Sequence, residues 1–97
     1  MPAYIIVDVQ INNPGDYEEY KKLTPASIAA YQGSFIVRGG PTETLEGDWV
    51  PGRIVVLEFP TAERARQWWN STEYAAAKRI RQAASVTRMI LADGVSR

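Results

Sequence analysis

The sequence predicts a single α+β domain over residues 1–97, with the ferredoxin-like order strand, helix, strand, strand, helix, strand. Three observations carry this prediction. Residues 4–11 have one wholly apolar and one mixed face, Asn13-Pro14 and Thr61 are helix-start signals, and residues 53–59 form an almost unbroken apolar run. A chain of this kind folds as an antiparallel sheet with its helices on one face.

The first strand and the first helix each have clear local signals. Over residues 4–11, the β-branched and aliphatic side chains recur with a period of two, as in a strand that buries one face. Asn13 is suited to cap the following helix and Pro14 to occupy its first position, with acidic residues in the first turn. Gly33 suits the helix end. Pro25 predicts a kink or a division into two helices.

The middle of the chain is predicted to form a long hairpin. A short second strand covers residues 34–38, residues 42–46 continue it after Gly39-Gly40-Pro41, and residues 47–52 form the turn. The third strand, residues 53–59, is apolar on both sides, which indicates a central strand covered on both faces.

The second half of the chain repeats the helix–strand pattern. Thr61 is predicted to cap a second helix, Ser71 a further helix over residues 72–83, and the last strand covers residues 86–92. The basic run at residues 78–81 is expected on a solvated helix face, with Ile80 directed inward.

Composition excludes several functional classes. The formal net charge is zero, so the long-range attraction to nucleic acid or to an anionic membrane is missing. Without cysteine or histidine, the chain lacks the side chains that hold most zinc, iron–sulfur and haem groups. We therefore expect no metal and no cofactor. With no membrane-spanning run and no secretory pattern, a cytoplasmic location is expected.

The sheet face opposite the helices is predicted to carry six aliphatic side chains, one tyrosine, two carboxylates and two guanidiniums. Its members are Tyr4, Ile6, Asp8, Ile36, Arg38, Ile54, Val56, Glu58, Val86, Arg88 and Ile90. Six exposed aliphatic residues are a patch that calls for a partner, and equal numbers of opposite charges can pair when water is excluded. We expect a homodimer, with two sheets packed face to face around a partly polar cavity.

The resemblance to a known family rests on Arg38-Gly39-Gly40, on Leu45-Glu46-Gly47-Asp48-Trp49, and on residues spread over nearly the whole chain. The latter are Pro51, Arg53, Glu58-Phe59, Ala65, Trp69, Ser71, Tyr74 and Arg81. In these the chain resembles the uncharacterised family catalogued as domain of unknown function 1330. The resemblance implies a dimeric α+β barrel, a superfamily that includes cofactor-independent monooxygenases, small isomerases and some haem proteins.

The resemblance also implies functional positions. They are Arg38, Glu46, Trp49, Arg53, Ser71 and Tyr74. Arg38 is expected to bind a ligand carboxylate, or to pair structurally with Asp8, Glu46 or Glu58. Glu46 would act as a general base if burial raises its pKa, or as a salt-bridge partner.

The remaining positions also have two interpretations each. Trp49 would wall a ligand pocket or anchor the dimer interface, and Arg53 would bind ligand or tie Glu46 or Asp48 across the hairpin. Ser71 is a ligand contact or a helix cap, and Tyr74 a catalytic or ligand-binding hydroxyl. Asp8 and Glu58 are expected to bind ligand from the open face. Because adjacent helical residues point about 100° apart, one of Trp68 and Trp69 packs under the sheet, and we expect Trp69 at a ligand cavity.

Four functions compete on this evidence. The first is a metal-free enzyme that uses Arg38 to orient a small anionic or aromatic molecule and Glu46 or Tyr74 for proton transfer. The second is a non-catalytic binding or sensory dimer. The third is a tautomerase with an N-terminal Pro2 base. The fourth, RNA binding, is not favoured, because Tyr4 alone offers a stacking ring on the open face.

Overall fold

The computed structural model describes residues 1–96, and its centre is a four-stranded antiparallel sheet. The strands are β1 (Ala3–Ile11), β2 (Ser34–Arg38), β3 (Arg53–Phe59) and β4 (Ser85–Asp93), in the order β2-β3-β1-β4. β1 pairs with β3 on one side and with β4 on the other. This is the predicted ferredoxin-like arrangement, and the α+β fold class is confirmed.

Three helices cover one face of the sheet, and each starts at the residue that the sequence indicates. They are α1 (Pro14–Ala30), α2 (Ala62–Trp69) and α3 (Thr72–Ala84). The side chains of Asn13, Thr61 and Ser71 each accept a hydrogen bond from the backbone N–H three residues later. Each cap satisfies a donor that the first helical turn leaves without an intrahelical partner.

Pro25 does not divide α1, which runs unbroken from Pro14 to Ala30. A proline inside a helix leaves the carbonyl four residues earlier without its usual donor. Here that carbonyl belongs to Lys21, and the Nη2 atom of Arg38 donates to it over 3.3 Å. A side chain from β2 therefore replaces the missing backbone donor, which ties α1 to the edge of the sheet.

A β-bulge in β2 changes which of its side chains face the helices. Phe35 pairs with Leu57, but Val37 pairs with Val56, so the register shifts between Phe35 and Val37. Such an extra residue reverses the side-chain alternation beyond it. The prediction that Arg38 lies on the open face is therefore wrong. Val37 lies on the open face, and Arg38 turns toward the helices.

The segment between β2 and β3 is an irregular loop, and the strand predicted over residues 42–46 does not form. We call residues 39–52 the hairpin loop. All of its residues up to Val50 are exposed, and Gly39 and Gly47 have positive φ angles of 72° and 84°. Glycine weakens strands, so this glycine-rich segment does not form a strand of its own.

The two faces of the sheet differ sharply. The face toward the helices packs into a core with Phe59, Trp68 and Tyr74, whose exposed fraction is at most 1%. On the other face, the strand register aligns one aliphatic side chain from each strand in a row across the sheet. This aliphatic row is Val37, Val56, Ile6 and Ile90. No helix within residues 1–96 has the length and apolarity to cross a membrane, and a cytoplasmic location stays a prediction.

Candidate functional site

A cavity lies between the sheet and the helices inside one chain. Its wall combines aliphatic and aromatic side chains with polar ones. The cationic residues are Lys21, Arg38, Arg53 and Arg81, and the hydroxyl-bearing residues are Tyr17, Tyr20 and Thr24. The space between the lining side chains, including its open end, is about 430 Å³, and about 30 Å³ of it admits the centre of a water-sized sphere. One or two water molecules fit as the side chains lie.

Arg53 enters this cavity from the first position of β3. Its guanidinium lies 5.8 Å from the centre of the Tyr17 ring, and its Nε atom is buried without a hydrogen-bond partner. No carboxylate within residues 1–96 forms an ion pair with it, so the predicted tie to Glu46 or Asp48 is not formed. A buried donor without a partner is costly, which marks Arg53 as a group placed for something other than packing.

Gly39 makes the space that the Arg53 guanidinium occupies. A Cβ atom at this position would collide with Nη1 of Arg53, and the backbone has a positive φ of 72°. The Gly39 N–H also donates to the carbonyl of Ile54 over 2.8 Å. Only glycine meets both the steric and the conformational requirement at this point.

Behind the cavity wall, a chain of hydrogen bonds connects two tyrosines and an arginine. The hydroxyls of Tyr20 and Tyr74 are 2.8 Å apart, and Nε of Arg81 donates to the Tyr74 hydroxyl over 3.2 Å. Burial and the neighbouring Tyr74 raise the pKa of Tyr20 well above its ordinary value. Burial likewise raises the pKa of Tyr17, against the opposing effect of the Arg53 and Arg81 charges. Both hydroxyls are therefore proton donors at neutral pH and not bases.

The open end of the cavity carries flexible cations. The Arg38 guanidinium lies 4.3 Å from the centre of the Phe35 ring, and Lys21 pairs with Glu18 over 3.1 Å. Both side chains are partly solvated and can move at small cost.

On the opposite side of the sheet, Asp8 anchors the hairpin loop. Its buried carboxylate accepts hydrogen bonds from Nε1 of Trp49 and from the Gly52 N–H, each over 2.9 Å. Arg88 completes the cluster with an ion pair of 3.2 Å. The hydrogen bond from Trp49 is the largest cause that lowers the pKa of Asp8 below 3.8; burial opposes it, while Gly52 and Arg88 reinforce it.

This cluster predicts a pH-dependent release of the loop. The folded-state pKa of Asp8 is depressed, so its stabilising effect is present above the unfolded value of 3.8 and is lost as the pH falls through the folded value. We expect the Trp49 fluorescence to change in this acid range, measured as the difference between this chain and its Trp49→Phe variant. In Asp8→Asn the acid transition should disappear. A transition that persists in that variant would assign it to another group.

The structure does not bring the predicted site residues together in one place. Arg38 and Arg53 meet at the cavity, whereas Asp8, Trp49 and Glu58 belong to the open face. Their roles in ligand binding or catalysis stay predictions.

The other predicted residues lie outside the cavity lining. Glu46 is in the exposed hairpin loop, Ser71 caps α3, and Tyr74 is fully buried behind Tyr20. Trp69 is 37% exposed, with Nζ of Lys78 at 3.8 Å from its ring centre. Trp68, its neighbour, is the one that packs under the sheet and lines the cavity.

Sequence reasoning missed several cavity residues, most notably Arg81. It was expected on a solvated face, but it is only 5% exposed. The signal was present in the spacing of Tyr74, Ala77, Arg81 and Ala84, which share one helical stripe and are all buried. Tyr17, Tyr20 and Lys21 also line the cavity, and their helical spacing predicts burial but not a shared cavity.

The described residues offer little for a metal ion. Residues 1–96 bring no three carboxylates together, and no carboxylate lines the cavity. The polar groups of the cavity are donors and cations, which suit an anion or a carbonyl oxygen.

Comparison with protein families assigns the chain. The model of the domain of unknown function DUF1330 matches residues 2–95, almost the whole chain. The chain belongs to the DUF1330 family. No curated protein sequence matches this DUF1330 chain significantly.

Solved structures similar to this DUF1330 protein share its fold at low sequence identity. RPA0582, a protein of unknown function from Rhodopseudomonas palustris, is 18% identical at a TM-score of 0.79, over 99% of this chain and 84% of that one. SnoaB, a cofactor-independent oxygenase from Streptomyces nogalater, is 13% identical at 0.63, over 99% and 95%. A dimeric protein of unknown function and ferredoxin-like fold from Bacteroides fragilis is 12% identical at 0.58, over 96% of each chain.

Proposed function

We propose that this DUF1330 protein is a homodimer that binds a small organic molecule in the cavity of each chain. The observation that carries the proposal is the cavity itself. Apolar and aromatic walls, with a few convergent polar groups, are typical of small-molecule sites. The Arg53 guanidinium is one of these polar groups, since its Nε atom is buried at this wall without a hydrogen-bond partner.

The size of the cavity limits what binds without rearrangement. As the side chains lie, only a group of a few atoms fits, so a larger ligand has to displace the side chains at the open end. Lys21 and Arg38 are suited to this movement, since both are long and partly solvated. The rest of the ligand would then extend toward solvent between α1 and β2.

The homodimer is proposed to form through the open sheet face. Ile36, Val86 and Ile90 are 51%, 62% and 61% exposed. The aliphatic row, to which Ile90 belongs, crosses all four strands of the same face. An apolar surface of this kind on a small domain is typical of an interface. The similar protein from Bacteroides fragilis, described as dimeric, supports the same assembly here.

Non-catalytic binding is better supported than catalysis. Within the described residues the cavity has no carboxylate, and the chain has no histidine or cysteine to act as a base. Glu46 does not line the cavity. A cofactor-independent oxygenation, as in the similar SnoaB, remains the second candidate, because a reaction whose substrate supplies its own electrons needs little from protein side chains beyond positioning.

The tautomerase hypothesis finds no support in the placement of Pro2. Its carbonyl accepts a hydrogen bond of 2.7 Å from the Gly94 N–H, and Pro2 is not among the residues that line the cavity. An amine base at Pro2 would act on a ligand bound outside this cavity.

Native mass spectrometry tests the proposed function. We expect a dimer, and a small molecule bound once per chain when a metabolite library is added. Val55→Phe, which fills the cavity with a larger side chain, should abolish that binding without changing the subunit number. A monomer at micromolar concentration would contradict the assembly. Binding that survives in Val55→Phe would contradict the cavity as its place.

A further inference from the structure

The cavity has a charge that the chain as a whole does not have. Four of its lining residues are cationic and none is acidic, although the chain contains eleven acidic and eleven basic residues. Lys21 already pairs with Glu18 and Arg38 is exposed, so the cost falls mainly on Arg53 and Arg81, whose charges repel each other and are partly removed from water. An anion bound near them would offset this cost.

Two of these cations are Arg81, which is buried, and Arg53, which is half-buried at the start of β3. Arg81 is 5% exposed and has no ion pair with a carboxylate within residues 1–96. Arg53 shares this lack of an acidic partner, and its Nε atom is buried without an acceptor. Both side chains line the same cavity, and both charges oppose the rise in the pKa of Tyr17.

The two guanidiniums differ in what already holds them. Nε of Arg81 donates to the Tyr74 hydroxyl, which fixes it within the hydrogen-bond chain. Arg53 lies between the Tyr17 ring and the backbone of Gly39, and its charge and a hydrogen bond from it oppose the rise in the pKa of Tyr17. Its Nε atom has no acceptor and is therefore the donor that remains for a ligand oxygen. A planar guanidinium matches a carboxylate through two parallel hydrogen bonds.

We propose that the ligand is a small organic carboxylate whose head group binds Arg53, in a site that the Gly39 conformation keeps open. This inference rests on the proposed function and adds the chemical class of the ligand. Arg81 contributes charge from behind, and Lys21 and Arg38 attract the anion at the open end. The apolar wall opposite contacts the body of the ligand.

The test compares acids with their neutral amides. Acetate against acetamide and benzoate against benzamide are titrated into the protein at constant ionic strength, with thermal melting and calorimetry as readouts. We expect the acids to bind more tightly than the amides. Arg53→Met should raise the dissociation constant of the complex between protein and carboxylate about tenfold to a hundredfold, as expected for loss of a charged hydrogen-bonded partner. Arg79→Met, the same change at an exposed position of α3, should leave it unaltered.

A second pair of variants tests the site even if Arg53→Met fails to fold. Gly39→Ala displaces the Arg53 guanidinium, whereas Gly47→Ala imposes alanine on a similar positive φ with no atom within 4 Å of the new methyl group. Acid binding should fall in Gly39→Ala and persist in Gly47→Ala. Equal affinity for acid and amide would overturn the carboxylate and leave the binding cavity standing. Undiminished acid binding in Arg53→Met or in Gly39→Ala would overturn Arg53 as the anion site.

Discussion

Ile90→Glu is expected to turn the proposed dimer into monomers. Ile90 ends the aliphatic row and is 61% exposed in the single chain. In a twofold assembly each substitution occurs twice, so two carboxylates would have to leave water together. At about 2 kcal/mol each, the dissociation constant should rise roughly a thousandfold. Sedimentation or light scattering across a concentration series measures this change.

The control for this experiment is Leu23→Glu, which makes the same kind of change on the outer surface of α1. Leu23 is 47% exposed and lies on the helix layer, away from the open sheet face. It should leave the subunit number unchanged. A dimer that survives in Ile90→Glu, or one that dissociates equally in Leu23→Glu, would place the interface elsewhere.

Trp68→Ala should be the most destabilising single substitution considered for this chain. Trp68 is 1% exposed, its ring centre lies 4.0 Å from that of Tyr74, and its Nε1 donates to Ser27 over 3.1 Å. Removing a buried tryptophan leaves a large cavity and a hydroxyl without its donor, at a cost of about 3–5 kcal/mol. Because small domains are stable by only about 5–15 kcal/mol, a large part of the stability is lost.

Trp69→Ala is the matched comparison, since the two tryptophans are adjacent in the same helix. Trp69 is 37% exposed, and its main side-chain partner is the ammonium group of Lys78. This contact contributes about 0.5–1 kcal/mol, and the loss of the partly buried ring adds a burial term smaller than that of Trp68. Urea unfolding of the two variants measures the difference directly. Similar losses would mean that the core does not extend from Trp68 as the structure indicates.

The elements with local signals could be predicted from the sequence. The alternation in β1 and the capping side chains of Asn13, Thr61 and Ser71 act within a few residues, so they are visible without knowledge of the fold. The open face followed from the same alternation, because a sheet covered on one side has to leave the other side exposed.

The features that sequence reasoning missed depend on contacts between distant residues. α1 continues through Pro25 with Arg38, thirteen positions later, donating to the carbonyl of Lys21. The bulge in β2 is set by pairing with β3, and a short alternating strand does not reveal it. Arg81 was assigned to solvent with the basic run around it, although its spacing with Tyr74 and Ala77 indicates a buried stripe. Only the assembled fold shows that this stripe borders a cavity.

The direction of the Arg53 side chain was also missed, because it depends on contacts between distant residues. As the last residue of a hairpin turn, it was expected to meet the acids of the loop. In the structure Asp8 anchors the loop through Trp49 and Gly52 on one side of the sheet, while the Arg53 side chain lies on the other. The Arg53 side chain is thus separated from the Asp8 cluster by the thickness of the sheet, although it lies beside Gly39 at the other end of the loop.

The placement of four cations at one cavity has a consequence for everything outside it. With Arg53 and Arg81 in the cavity and Asp8 buried on the other side of the sheet, nine basic residues remain against ten acidic ones, so the rest of the molecule is close to neutral. The cations of the cavity then produce a local positive field that the net charge of the chain does not show. This field attracts a small anion over a short distance only. A polyanion such as a nucleic acid, too large to enter the cavity, meets a surface with almost no net charge.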